Sequence, residues 1–263
     1  MIKEETRQGA SNLMEGMTSV SALFAAKAEG VNDRPILEIR FDKAKKEKKA
    51  REFAFLARKC KELDIPLTLT DAAELEKICI GNTHGGIIAI CGDRTIPLPC
   101  AENLPKSGFL CLLEGIEDPY NFGYTVRSLY AAGVDGVILP PRNWMGVAGL
   151  VARSSAGTSE KMPLFVAEPA EVIPLFKAKG YRAACAEIRD SVDLYEADLT
   201  LPLLLVIGGE KRGISRAVLS EADLNVRIGY YGSFRGSLSS AASAAVLAFE
   251  VGRQNSTHGA VLE

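Results

Sequence analysis

Leu203-Leu204-Leu205-Val206-Ile207-Gly208-Gly209-Glu210-Lys211-Arg212-Gly213-Ile214-Ser215 is the stretch that decides the fold. Its opening apolar run is long enough for one strand buried on both faces. The run breaks into glycines with charges between them, and glycine permits a close backbone approach that a side chain would block. A second short strand, Leu224 to Ile228, ends in a loop of small and aromatic residues, Gly229 to Gly236. The alanine-rich sequence beyond it predicts a helix from Ser237 to about Arg253, with Ser237 as N-cap. Two strands whose ends open into small-residue loops are a common frame for a ligand pocket in an α/β domain. Each loop alone reads equally well as a tight turn.

Working outward, strands and helices alternate on the N-terminal side of this stretch. Strands are predicted at Phe109–Leu113, Gly136–Leu139, Pro163–Ala167 and Tyr181–Ala186. Helices fall between them around Val126–Ala132, Val147–Arg153 and Ala170–Lys179. Short links between such elements imply a mainly parallel sheet with helices on both faces. Further upstream, Pro97 to Gly108 holds three prolines and little periodicity, which marks a domain boundary. Before it come a possible helix at Val20–Lys27, a strand at Pro35–Phe41 and a lysine-rich helix from Lys43 to Leu63. A strand at Ile65–Leu69, a short helix capped by Asp71, a turn at Gly81–Gly86 and a buried strand at Ile87–Cys91 complete a small α/β sandwich. Phe53, Leu56 and Cys60 share one face of the lysine-rich helix. The 263-residue length also favours two domains, 1–105 and 106–263.

Composition removes several classes of function. Hydrophobic content of 47% with 24% charged residues describes a globular chain able to bury a core. A formal net charge of −2 weighs against an overall basic nucleic-acid binder, although a local basic patch remains compatible with it. The six cysteines form no C-x-x-C pair, and only His84 and His258 could join them, so no metal site is expected. Reduced, buried thiols are the better reading. No apolar segment reaches membrane-spanning length, and Met1-Ile2-Lys3-Glu4-Glu5 lacks a signal-peptide core. A cytoplasmic protein is expected.

Three motifs remain. In Glu114-Gly115-Ile116-Glu117-Asp118-Pro119-Tyr120-Asn121-Phe122-Gly123-Tyr124-Thr125-Val126-Arg127, a strand ends in a turn and a helix follows. Asn121 and Arg127 suit a phosphate or a ribose, through amide hydrogen bonds and a bidentate guanidinium. On spacing alone, a helix cap for Asn121 and a solvated surface residue for Arg127 are the better readings. Gly208 to Gly213 has neither P-loop nor G-x-G-x-x-G spacing, which leaves the triphosphate and dinucleotide readings weak. Ser237 opens the last helix.

Taken in order, these motifs resemble those of the SpoU (TrmH-like) branch of the SPOUT methyltransferases. Asn121, Gly123 and Arg127 match N-x-G-x-x-x-R and are followed by Ala131-Ala132-Gly133. Gly208, Glu210 and Gly213 match G-x-E-x-x-G, and Ser237-Leu238 matches the serine-leucine pair of the third motif. The likeness covers about residues 109–254. More loosely, Arg34-Pro35-Ile36, the lysine helix and Thr83-His84-Gly85-Gly86-Ile87-Ile88-Ala89 are similar to the ribosomal-protein-like RNA-binding domain found ahead of family members that modify rRNA.

The resemblance implies a C-terminal deep trefoil knot, a rare exception to unknotted folding. It implies methyl transfer from S-adenosylmethionine to a ribose 2′-hydroxyl of RNA, most readily rRNA, by a homodimer that needs no metal. The matching cofactor positions are Ile207, Gly208, Gly209, Ile228 and Leu238, and the matching catalytic positions are Asn121, Arg127, Glu210 and Ser237. Ser239 stands where the family commonly has asparagine, and serine loses the amide's paired donor and acceptor. That departure motivates an alternative, a non-catalytic RNA-binding or ribosome-assembly protein that retains the fold. Of Lys43, Lys45, Lys46, Lys48, Lys49 and Arg51, about half are expected to contact RNA phosphates and the rest to form a solvated helix face.

Overall fold

The computed structural model describes residues 12–81, 83–100, 102–141 and 147–256. The N-terminal pentapeptide, Asn82 of the predicted turn, Ala101 of the predicted boundary and His258 lie outside them. The chain forms two compact units, one comprising Met1–Thr95 with Asn143–Lys161, the other Ile96–Arg142 with Met162–Glu263.

The first unit starts with β1 (Leu13–Glu15), α1 (Gly16–Ala28), β2 (Ile36–Asp42), α2 (Ala50–Glu62), β3 (Leu67–Thr70), α3 (Ala72–Ile78) and β4 (Ile87–Cys91). Its four strands lie in the order β1-β4-β2-β3, with β4 antiparallel to β1 and β2 and only β2–β3 parallel. The strand β1, three residues long, carries no readable alternation, so the sandwich holds one strand more than the sequence predicts. The lysine-rich helix starts later than Lys43. The Asp42 side chain accepts from Ala44 N at 3.0 Å and closes a single 3-10 turn over Lys43–Lys45. Helical turns resume only at Ala50. Leu56 and Cys60 are buried on its inner face, and the half-buried Phe53 meets Phe41 edge-on at 5.2 Å. Asp71 precedes α3 but makes no side-chain cap and instead pairs with Lys43 at 2.7 Å.

The second unit opens with β5 (Phe109–Glu114), α4 (Pro119–Ala131) and β6 (Gly136–Leu139). The next two helices, α5 (Ala148–Ser154) and α6 (Thr158–Lys161), belong to the first unit. There Ala148 and Ala152 enter the core made by Met14, Val20, Phe24 and Phe41. Glu160 of α6 is held by the buried Arg34, Nε to Oε2 at 2.8 Å, and by the Asn32 amide. The chain then supplies β7 (Leu164–Val166), α7 (Pro169–Lys177), β8 (Arg182–Ala186), β9 (Val192–Asp193), β10 (Leu203–Gly208), α8 (Arg216–Leu219), β11 (Leu224–Arg227) and α9 (Ser240–Asn255).

The seven strands of the second unit lie in the order β7-β6-β5-β10-β8-β11-β9, and every pairing is parallel. The run Leu203–Ile207 is fully buried at the centre of this sheet, with Leu203 opposite Phe109 and Gly208 opposite Glu114. Leu110, Leu112, Ile173, Phe176, Leu204 and Val206 pack one face of the core. Among the described residues no helix is long and apolar enough to cross a membrane, and no group of three or more His, Cys, Asp or Glu could hold a metal ion.

Candidate active site

The helix α4 starts earlier than its apolar periodicity indicates. Pro119 occupies the first turn, where its missing N–H costs nothing, and the Asp118 side chain accepts from Asn121 N at 2.8 Å. Asp118 is therefore the cap, and Asn121 is free to use its amide elsewhere. Asn121 Nδ2 donates to Glu210 Oε1 at 3.0 Å, joining the first and second motifs across 89 residues. Arg127 lies further along the same helix, exposed, with no hydrogen bond or ion pair among the described residues.

The glycine loop is built by backbone crowding. Gly209 N donates to Glu114 O at 2.6 Å, and Gly213 N donates to Gly209 O at 3.0 Å. A Cβ on Gly209 would overlap the Gly115 carbonyl, and one on Gly208 would stand 2.6 Å from the Gly213 carbonyl carbon. Such separations exclude any side chain. Glu114 accepts from Ser215 N at 3.0 Å, and Lys211 pairs with Glu117 at 2.9 Å, so the loop is tied at both ends. A cavity of about 80 Å³ lies here, lined by Gly115–Asp118, Asn121, Glu210, Lys211 and Ser240.

The third motif differs from its predicted form. α9 begins at Ser240, and its cap is Ser239, whose side chain accepts from Ala242 N at 3.2 Å. Ser237 precedes the helix and is exposed. The Tyr230 hydroxyl accepts from Leu238 N at 3.1 Å, holding the residues before the cap in an extended loop. Ser240, buried, donates to Gly208 O at 3.0 Å and fixes the start of α9 on the end of β10. A wider cleft of about 370 Å³ opens beside it, walled by Ala186–Ile188, Arg227–Tyr230, Ser237, Leu238 and Leu247.

Of the residues singled out by sequence, five line two hollows, and Arg127, Ile207, Gly208, Gly209 and Ser239 line neither. Ile228, Leu238 and Ser237 line the wide cleft, while Asn121 and Glu210 line the small cavity. Gly208 and Gly209 stand at the end of β10, packed against Gly115 and Gly213. Ile207 is buried within the sheet opposite Leu113, so any contribution it makes to a ligand is through its backbone. Ser239 is occupied as a helix cap. Sequence reasoning missed Ser240 and Tyr230, since nothing in a serine-rich run tells which hydroxyl points back to a strand end. The thiols beneath these loops are not nucleophiles. Burial, with Glu114, Glu187 and Asp223 nearby, pushes Cys185 up to about 12, and burial raises Cys111 as well.

A parallel α/β sheet in which β10 and β11, on either side of β8, both end in glycine-rich loops has the frame of a protein that binds a small ligand at the strand ends. The chain belongs to the SpoU rRNA Methylase family, whose sequence profile it matches over residues 108–249. A protein of Staphylococcus saprophyticus named as a TrmH family tRNA/rRNA methyltransferase is 35% identical over 155 residues, which cover 59% of this chain and 62% of that relative. The chain thus spans less than two thirds of that relative's length. Among solved structures, AdoMet-bound rRNA methyltransferase from Sinorhizobium meliloti superposes with a TM-score of 0.77 at 20% identity, covering 95% of this chain and 93% of the other. The SpoU methyltransferase AviRb from Streptomyces viridochromogenes, in complex with AdoMet, gives 0.75 at 22% identity, covering 95% and 96%. At such identities the likeness is one of fold.

Proposed function

We propose that this protein transfers a methyl group from S-adenosylmethionine to a ribose 2′-hydroxyl of RNA, with rRNA as the favoured target, in the cytoplasm. The observation that carries the reading is the Asn121–Glu210 hydrogen bond, which fixes a carboxylate in the wall of the small cavity, beside the glycine loop. The wide cleft has the size of a small-molecule site. Its wall combines apolar Ile188, Ile228, Leu238 and Leu247 with the polar Glu187, Tyr230 and Ser237, which suit an adenosine and its amino-acid tail. In this reading Ile228, Leu238, Gly208 and Gly209 hold the cofactor, with Ile207 contributing its main chain.

When bound, S-adenosylmethionine supplies a methyl group already activated on a sulfonium. The chain's own task is to position the acceptor. Arg127 cannot serve as a base, because a guanidinium stays protonated. It grips the phosphate next to the target ribose and orients the 2′-hydroxyl for in-line attack. Glu210, held on one oxygen by Asn121, presents the other to the hydroxyl proton. Ser237 stands at the cleft mouth, where its hydroxyl meets substrate. The cap formed by Ser239 sets where α9 begins.

The threading that would make a C-terminal knot is supported by the placement of β10 between β5 and β8 and by the Ser240–Gly208 bond. A homodimer is supported by exposed Tyr120 and Tyr124 on α4 and exposed Val246 and Phe249 on α9, since these two helices pack together. RNA binding by the N-terminal unit is supported by its lysines, including Lys43, Lys45, Lys46, Lys48 and Lys49.

Calorimetry with S-adenosylmethionine, followed by transfer of labelled methyl to rRNA and tRNA, tests the reading. Micromolar cofactor binding and nucleotides resistant to alkaline cleavage are expected. Cofactor binding without transfer to either RNA would sink the assignment as an RNA methyltransferase. No cofactor binding at all would favour a non-catalytic RNA-binding protein.

A further inference from the structure

A separate cavity of about 240 Å³ lies wholly within the first unit. It is bounded by the start of α1, Lys49, the Thr83-His84-Gly85 turn and Arg153. The thirteen residues of α1 begin without a side-chain cap, and Gly16 to Ser19 line the cavity. The first N–H groups of a helix carry partial positive charge and lack partners within it.

His84 gives a second, independent sign. It lines the same cavity and is only 8% exposed. Its Nδ1 accepts from Gly86 N at 3.1 Å. With Nδ1 as acceptor, the ring's donor is Nε2–H. That donor has no partner among the described residues and is not sealed from solvent, so on a largely buried ring it stands available to a ligand in the cavity.

The surrounding charges favour an anion. Lys49 Nζ lies over Gly85, close enough that a Cβ there would stand 2.9 Å away, and Lys49 forms no ion pair among the described residues. Glu15 is the one carboxylate among the lining residues, and it is already satisfied. It accepts from Ile80 N and Gly81 N and pairs with Arg153 at 3.2 Å. Lys49 and Arg153 against Glu15 leave the cavity with net positive charge.

We infer that this cavity is an oxyanion site that receives a backbone phosphate of the RNA strand, with His84 Nε2–H, Lys49 and the α1 N–H groups as donors. The inference rests on the RNA reading given above and adds a specific point of contact.

The test uses the full chain. It has two histidines, so imidazole signals in a nitrogen–proton NMR spectrum are readily assigned with a His84→Asn variant. In that variant the amide oxygen replaces Nδ1 as acceptor while the Nε2 donor is lost. Inorganic phosphate and a mixed-sequence single-stranded RNA 12-mer are both expected to shift the His84 signals. Filter binding of the RNA across a salt series reads the contact independently. Lys49→Met should lower the slope of log affinity against log salt by about 0.7, the value of one lost phosphate contact to a single strand. Lys49→Arg should retain the slope, and all variants should bind S-adenosylmethionine as the parent does.

No response of His84 to either probe overturns the site. A response to phosphate but not to bound RNA overturns the assignment to a strand phosphate. An unchanged salt slope in Lys49→Met does the same. Failure of the parent protein to bind RNA in the filter assay overturns the RNA reading itself, while the response of His84 to phosphate still judges the cavity.

Discussion

Gly209→Ala tests whether backbone crowding shapes the glycine loop. The backbone at Gly209 is not in the left-handed region, so an added methyl is not strained by its own dihedrals. All of its cost must come from space. The methyl would overlap the Gly115 carbonyl and stand 3.0 Å from Ile116 N, and both are backbone groups that cannot rotate away. Relief requires the ends of β5 and β10 to part, which lengthens the 2.6 Å bond from Gly209 N to Glu114 O. Loss of one hydrogen bond costs about 1 kcal/mol, and overpacking adds about 1–3 kcal/mol, so a loss of about 2–4 kcal/mol is expected. Gly133→Ala is the control. Its φ is +82 with nothing within 4 Å, so its cost should be only the left-handed penalty of about 1–2 kcal/mol. Amide exchange of β5 and β10 under native conditions reads the second unit directly, without assuming that both units unfold together. Exchange in Gly209→Ala within about 0.5 kcal/mol of the parent would refute the reasoning, because the methyl would then have found room the structure denies it.

Three further outcomes follow from single features. Ser239→Ala should weaken the first turn of α9 by about 1 kcal/mol while Ser237→Ala leaves it unchanged, as read by amide exchange at Ala242 and Ser243. The reverse ranking would return the cap to Ser237. Arg34→Met should destabilise the first unit by about 3 kcal/mol, because the buried Glu160 would lose its hydrogen-bonded ion pair and keep only the Asn32 amide and the nearby charge of Arg94, and Arg34→Met with Glu160→Met should recover part of the loss in urea unfolding. Asp223 faces opposing influences: desolvation raises its pKa, but the Ala183 N–H and Lys177 outweigh it, and the net shift is downward. Its contribution to stability is therefore present above the ordinary aspartate range and lost as pH falls through the lowered value. Acid titration of stability in Asp223→Asn should lack that component, and an unchanged acid limb would remove Asp223 from the account.

The sheet of the second unit was legible because its strands are uninterrupted apolar runs, Leu203–Ile207 and Phe109–Leu113 above all, and its helices carry apolar stripes. Boundaries were less so. Asp118-Pro119 reads as a turn in sequence, yet proline in a first turn and an aspartate before it are also how a helix begins, and only the Asn121 N–H decides between them. In the run Ser237-Leu238-Ser239-Ser240 each hydroxyl is an equally good cap. The choice is made by Tyr230 and by the Gly208 carbonyl, which come from other elements. The Asn121–Glu210 contact joins two motifs neither of which points to a site when read alone. The Arg34–Glu160 pair spans 126 residues and carries no periodic signal, so the membership of α5 and α6 in the first unit could not be read from local pattern.

That membership has a consequence for how the protein is made. A nascent chain leaves the ribosome from its N-terminus, and domains generally close in that order. Here the first ninety-five residues emerge without the helices that supply Ala148, Ala152 and Glu160 to their own unit. Until synthesis passes Lys161, Arg34 has no counter-charge from Glu160 and the apolar socket for α5 stays open. By then β5, α4 and β6 have already been extruded. The earlier unit is the one that waits, so a stall in translation anywhere between residues 96 and 147 would leave it exposed to aggregation and proteolysis.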